Sequence, residues 1–257
     1  MSATFKQFKG LHESASLFVL PNVWDAKSAL TFQEKQFPAI GTSSAAVASS
    51  LGYEDGERMP FADYLFVIKR ILSAVQVPLT VDIEMGYGKT DAAIYANIRQ
   101  LVDLGAAGIN IEDSMLHGAG RVLKETKQFA HTIESMKDKL AADKADLFIN
   151  VRCDTYILGV ADKQEETVRR LRAYEAAGAD GIFLPCIVAE DDIAEAVNHT
   201  KLPLNVMCFP GLPDFATLQQ LGVKRGSMGP FLFNKVYDNA GQLSRAVTTQ
   251  QSFSPIL

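Results

Sequence analysis

Carboxylates crowd two stretches of this chain, Val81-Asp82-Ile83-Glu84-Met85-Gly86-Tyr87-Gly88 and Asn110-Ile111-Glu112-Asp113-Ser114. Each closes a short apolar run that reads as a strand, and alternation along a strand puts Asp82 and Glu84 on the same side. Carboxylates gathered together repel, so they stay ionised together only around a cation; an all-oxygen set of this kind suits Mg2+ or Mn2+. Magnesium keeps several waters, so few direct ligands are needed. The plainer use of the same acids is to cap the following helices or to pair with rim lysines. Arg152, in Asn150-Val151-Arg152-Cys153-Asp154, stands where a guanidinium could clamp a substrate carboxylate through two hydrogen bonds, or could instead pair with Glu112 or Asp154. The small residues of Gly41-Thr42-Ser43-Ser44-Ala45-Ala46 would let backbone N–H groups approach an oxyanion closely.

The elements that must position these groups alternate along the chain. Apolar or β-branched runs at 17–20, 39–42, 79–84, 108–112, 148–152, 181–185, 204–208 and 225–228 predict eight strands. Helical patterns at 25–35, 61–75, 90–104, 121–139, 163–176, 190–199, 214–221 and 231–246 predict eight helices. Thr90 reads as a helix start, and Gly105, Gly178 and Gly222 stand where left-handed C-terminal caps belong. No linker or low-complexity segment interrupts the series, so residues 1–257 are expected to form one (β/α)8 barrel domain, an α/β fold of the TIM type, rather than an open doubly wound sheet. In such a barrel the chemistry sits at the C-terminal face, where strands and βα loops meet. Asp82, Glu84, Glu112 and Arg152 all fall there.

Composition narrows the classes of function. The chain is 47% hydrophobic and 21% charged, with a formal net charge of -5, and its lysines and arginines are scattered. No basic stripe marks it as a nucleic-acid binder. Neither a leader-like apolar run near the start nor 18 consecutive apolar residues occurs, so membrane insertion is not expected. Cys153, Cys186 and Cys208 form an odd set without CxxC spacing, which suits reduced thiols, a cytoplasmic location and use as small apolar residues.

Four segments together carry a family resemblance: Asp82-Ile83-Glu84-Met85-Gly86-Tyr87-Gly88, Gly105-Ala106-Ala107-Gly108-Ile109-Asn110-Ile111-Glu112-Asp113, Val151-Arg152-Cys153-Asp154 and Ala177-Gly178-Ala179-Asp180-Gly181-Ile182-Phe183. Over nearly its whole length the chain resembles the isocitrate lyase and phosphoenolpyruvate mutase superfamily, (β/α)8 barrels that act on 2-oxo acids with Mg2+. The resemblance implies that Asp82 contacts the metal directly and that Glu84 and Glu112 hold it directly or through water. It implies that Ser43, Ser44 and Ala45 receive the substrate's carboxylate or oxo group, and that Asp55, in Leu51-Gly52-Tyr53-Glu54-Asp55-Gly56, holds a metal-bound water from a mobile stretch. Asn205 resembles a substrate-binding asparagine. Trp24 and Asp25 lie near the expected pocket mouth, where a packed indole and a helix cap explain them equally well.

The chain also departs from that pattern. The superfamily's lyases carry a cysteine acid on the loop after the fourth strand, whereas this chain reads Ser114-Met115-Leu116-His117-Gly118-Ala119-Gly120-Arg121. The mutases' longer lid is not recognisable either. His117, with an unperturbed pKa of about 6.5, could replace the missing acid or base, or could be a solvent-facing loop residue. Three functions follow as expectations: a Mg2+-dependent carbon-carbon lyase or decarboxylase for a small, oxaloacetate-like 2-oxo acid; a phosphonopyruvate hydrolase or phosphonomutase; and a barrel that binds a 2-oxo acid without turnover. A homo-oligomer, dimer or tetramer, is the expected assembly. The segment after the last predicted helix, Ser252-Phe253-Ser254-Pro255-Ile256-Leu257, is expected to leave little length for a separate helix exchanged between subunits as in the family.

Overall fold

The computed structural model describes residues 2–118 and 120–257. Helix α1 (Ala3–Glu13) precedes β1 (Phe18–Leu20), β2 (Asn22–Val23), α2 (Ala26–Glu34), β3 (Ile40–Thr42) and the short α3 (Ser44–Ser50). There follow α4 (Phe61–Ala74), β4 (Leu79–Asp82), α5 (Asp91–Leu104), β5 (Gly108–Glu112), the pair β6 (Ser114–His117) and β7 (Gly120–Leu123), and α6 (Thr126–Ala142). The chain completes itself with β8 (Phe148–Arg152), α7 (Lys163–Ala176), β9 (Gly181–Leu184), α8 (Glu190–Asn198), β10 (Leu204–Met207), α9 (Phe215–Gln220), β11 (Arg225–Ser227) and α10 (Phe231–Gln250).

Nine strands pair in the order β1-β11-β10-β9-β8-β5-β4-β3-β2, every pair parallel. Its two ends are consecutive in the chain. Pro21, which has no N–H to give to a ladder, divides the first stave: β1 pairs with β11, β2 pairs with β3, and the Pro21 carbonyl accepts from Gly41 N–H at 3.0 Å. The sheet therefore closes through that residue into the expected eight-staved (β/α)8 barrel. Gly41 is required at this closure, because a Cβ there would lie 2.8 Å from Leu20.

Helix caps follow the sequence closely. Thr90 accepts from Ala93 N–H at the start of α5, and Gly105 ends that helix in the left-handed region at φ +92°. Asp25 makes a capping box with Ser28, and Trp24 packs edge-on against Phe233, so both are accounted for structurally.

Besides the short α3, three features were not in the sequence reading. Helix α6 begins at Thr126 rather than 121, because residues 114–117 and 120–123 pair as an antiparallel hairpin. Helix α1 closes the N-terminal end of the barrel, burying Phe5 and Phe8 against Phe18, Ala107 and Phe148. Helix α10 runs four residues beyond the expected 246, and among its residues only Phe233 is buried. It is a 20-residue helix lying mostly in solvent.

His12, on α1, seals the barrel floor. Its ring stacks on Phe148 and its Nδ1 donates to the Phe8 carbonyl at 3.0 Å. Burial, with the Arg225 charge beyond it, depresses its pKa to about 3 from 6.5. A depressed histidine stays neutral when folded while the unfolded chain takes up a proton, so this contribution is full above pH 6.5 and is lost as pH falls toward 3. We expect acidification from pH 6.5 to 5 to cost about 1.4 kcal/mol per unit through this group. Denaturant titrations of wild type and His12→Phe should therefore converge as pH falls, whereas a constant difference between them would contradict the assignment.

Candidate active site

At the C-terminal rim, a cavity of about 160 Å3 is lined by Ser43, Ser44, Ala45, Asp55, Asp82, Arg152 and Asn110, among others. Six residues singled out in the sequence thus meet in one place. The positions come from the strand ends: Asp82 ends β4, Arg152 ends β8, and Ser43 caps α3 directly after β3. Ser43 accepts from Ala46 N–H at 3.3 Å, and the first-turn amides of Ser44 and Ala45 have no acceptor one turn back in the helix. Ser44 Oγ donates to Asp82 Oδ2 at 2.9 Å, joining the two sides of the site.

A ring of backbone and hydroxyl hydrogen bonds fixes the Asp82 main chain. Its N–H donates to Thr42 Oγ1 at 2.9 Å, Thr42 bonds Tyr64 Oη at 2.6 Å, and Tyr64 donates back to the Asp82 carbonyl at 2.8 Å. Neither Thr42 nor Tyr64 was picked out from the sequence, because Tyr64 reaches the site from the interior of α4.

The acids behave as a crowded group. Burial raises the Glu84 pKa to about 7, and the charges of Asp55 and Asp82 push the same way. Burial also raises Asp82, against the opposing Arg152 charge and the Ser44 hydrogen bond. Glu84 is held behind the rim, its two oxygens accepting from Tyr87 Oη at 2.8 Å and from Glu57 N–H at 2.9 Å. The turn that places it is tight: Glu84 and Tyr87 take φ of +50° and +53°, and a Cβ on Gly86 would meet Ile94 at 2.7 Å. Tyr87 packs its ring on Phe61 and Tyr64.

Glu112 differs from this group. It is fully buried and ion-paired with both Arg121, from the hairpin, and Arg152, whose Nη1 stands 2.7 Å away. Arg152 also makes a fork to Asp154, through Nε at 2.6 Å and Nη2 at 3.1 Å. Both pairings foreseen for this arginine are formed, and it still lines the cavity. Asp113 points elsewhere, to Arg170 and Tyr174.

Two other expected residues lie outside the cavity lining. His117 is exposed on β6. Asn205 is fully buried beneath the floor; its Nδ2 donates to Asn150 Oδ1 at 2.6 Å, and Asn150 Nδ2 donates to Asn110 Oδ1 at 2.8 Å. Asn110 is the member of this amide chain that reaches the cavity, two residues before Glu112 on the same face of β5. That spacing was the available signal for it. Arg225, also fully buried, donates to Asn110 Oδ1 at 3.3 Å and, among the described residues, has no hydrogen-bond partner for Nε or Nη1.

A divalent cation fits this chemistry in one respect and is constrained in another. Mutually repelling carboxylates at exposed Asp55, half-buried Asp82 and buried Glu84 would be relieved by positive charge. Among the described residues, however, no three His, Cys, Asp or Glu side chains are grouped tightly enough to enclose an ion alone. Waters would have to complete its shell, as is usual for Mg2+. In cation-free solution Glu112→Gln should lose roughly 3 kcal/mol, because it strips two arginines of their buried partner. Asp82→Asn should be neutral or stabilising, because it removes a repelled charge. Equal losses in chemical unfolding would contradict this division of the acids.

Residues 8–248 match the family model for phosphoenolpyruvate phosphomutase. An uncharacterised protein of Mycobacterium tuberculosis is 36% identical over 241 residues, covering 94% of this chain and 88% of its own. Oxaloacetate decarboxylase 1 of Pseudomonas fluorescens is 28% identical over 225 residues, covering 85% and 76%. The crystal structure of a candidate phosphonomutase from Burkholderia cenocepacia superimposes with a TM-score of 0.88 at 33% identity, covering 95% of this chain and 98% of the other. With the barrel closed, the strand-end acids in place and the match spanning nearly all of its length, the chain belongs to the phosphoenolpyruvate phosphomutase family of the isocitrate lyase superfamily.

Proposed function

We propose that this protein is a Mg2+-dependent carbon-carbon lyase that cleaves a small 2-oxo acid at its C3–C4 bond, one carbon removed from the oxo group, and releases pyruvate from the enolate. The observation that carries this reading is that Asp55 and Asp82 line one cavity with Arg152 and the first residues of α3, with the repelled Glu84 behind them. Asp82 and Glu84 would hold the metal, with Asp55 on one of its waters and Mn2+ substituting for Mg2+. Glu112 contributes from behind, as the buried anchor of Arg152. When bound, the metal supplies Lewis-acid polarisation, so that the electron pair of the breaking bond comes to rest on the oxo oxygen.

The chain's own groups then have separate tasks. Arg152, held by Glu112 and Asp154, keeps unused N–H groups toward the cavity for the substrate carboxylate. The Ser44 and Ala45 amides, with Ser43 at the cap, face the oxygen that gains charge. Asn110, oriented by two donors on its Oδ1, offers its Nδ2 to the same cavity. Asp55, exposed on the loop after α3, is the lining carboxylate able to move a proton to the enolate carbon. His117 has no part in this scheme, since it stands outside the lining.

The exposed α10 carries apolar Val236 and Tyr237, 44% and 53% accessible, and this face supports assembly into a homo-oligomer. No described helix is long and apolar enough to cross a membrane.

The test is turnover. With Mg2+, a panel of 2-oxo acids should yield pyruvate from at least one member, and EDTA or Asp82→Ala should abolish it. Because Glu84 titrates at about 7 without a cation, metal binding at pH 7 should also release a fraction of a proton per chain, read from the buffer dependence of the calorimetric enthalpy. Turnover unaffected by EDTA and by Asp82→Ala would overturn the proposal.

A further inference from the structure

The cavity is divided. One side carries Ser43, Ser44, Asp55, Asp82 and Arg152; the other is mainly apolar, with Leu20, Ile157, Phe183, Pro185, Met207 and Pro230, and its polar members are already bonded to backbone, Asn22 to the Thr42 carbonyl and the Met228 and Gly229 amides and Ser227 to the Val206 carbonyl. If the metal, the α3 amides and Arg152 take the carboxylate and oxo group, as proposed above, the remainder of the substrate must lie against that second wall.

Charge on the described residues sharpens the point. Arg152 is the one cation that lines the cavity, and two of its five N–H groups are already bonded to Asp154 while its Nη1 is ion-paired with Glu112. The nearest other cation in the barrel interior, Arg225, is fully buried beneath the floor. Its guanidinium lies 6.0 Å from the Phe183 ring centroid and bonds Asn110 Oδ1, so a phenyl ring and an amide separate it from the cavity. A second carboxylate or a phosphonate on the far wall would lose its hydration and find no countercharge, which is costly, while an alkyl group there is favoured.

We infer that the substrate's distal end is uncharged and aliphatic, making it a 2-oxo monocarboxylate with an alkyl tail rather than a dicarboxylate or a phosphonate. This rests on the reading of the site as a metal-dependent 2-oxo acid lyase and selects among its reactions. With no second carboxylate to lose, the bond broken is C3–C4 of a 4-hydroxy-2-oxo acid. The 4-hydroxyl gives its proton to Asp55 as C4 becomes an aldehyde carbonyl, the C3–C4 electron pair passes into the enolate, and the proton returns to C3 to give pyruvate. No oxidant or reductant is required.

The experiment compares two acids of equal heavy-atom count and opposite distal chemistry, 4-methyl-2-oxopentanoate and oxaloacetate. Each displaces Mg2+-dependent oxalate from the whole protein in a rapid-mixing titration. The aliphatic acid is expected to displace oxalate at least about tenfold more effectively. Ile157→Lys, a change at a 42% exposed position of the wall, should narrow or reverse that order without weakening oxalate itself. Oxaloacetate displacing oxalate as well as or better than the aliphatic acid overturns the inference while leaving the lyase reading intact. Failure of oxalate to bind with Mg2+ overturns both.

Discussion

Like-charge repulsion among the buried carboxylates at the end of β4 is the constraint around which the active rim is organised. Glu84 is driven up to about 7 by burial and by its neighbours Asp55 and Asp82. Folding normally avoids such an arrangement, and the chain spends specific structure to hold it. Glu84 and Tyr87 adopt left-handed backbone conformations, Gly86 fits where no Cβ can, and a closed ring of bonds through Thr42 and Tyr64 pins Asp82. Strain and unpaired charge concentrated in one place are the expected marks of a site shaped for a ligand. The adjoining acid, Glu112, is neutralised by two arginines, so neighbouring strands assign opposite work to the same residue type.

The layers below support this rim. Asn205, Asn150 and Asn110 pass one hydrogen-bond direction up through the barrel, and Arg225 fixes the top amide by donating to the same oxygen. His12 closes the floor, neutral within an aromatic cluster. A polar interior of this kind is costly to bury, and here it ends in a donor at the cavity, which ties the core to the site above it.

The strand-end rule made much of this legible in the sequence. Asp82 and Arg152 end their strands, and Ser43 to Ala45 follow β3 directly, so their shared rim follows from the barrel. Depth within a strand was less readable. Asn205 and Met207 share one face of β10, yet only Met207 reaches the cavity, and periodicity gives the face without the height. The role of Glu112 was hidden because its partner Arg121 lies in a segment whose spacing resembles the start of a helix; hydrogen bonding across β6 and β7 overrode that local pattern. Helix α1 escaped because its apolar Phe5 and Phe8 are few and gain their burial from distant Phe18 and Phe148.

The central claim is that the crowded acids, and not the ion-paired one, receive the cation. A crystal grown with Mn2+ and oxalate, measured at the manganese absorption edge, tests this directly. The account predicts one anomalous peak within bonding distance of Asp82, with Glu112 still paired to Arg152. A peak coordinated by Glu112 with Arg152 displaced, or none at the rim while oxalate is bound, would contradict it.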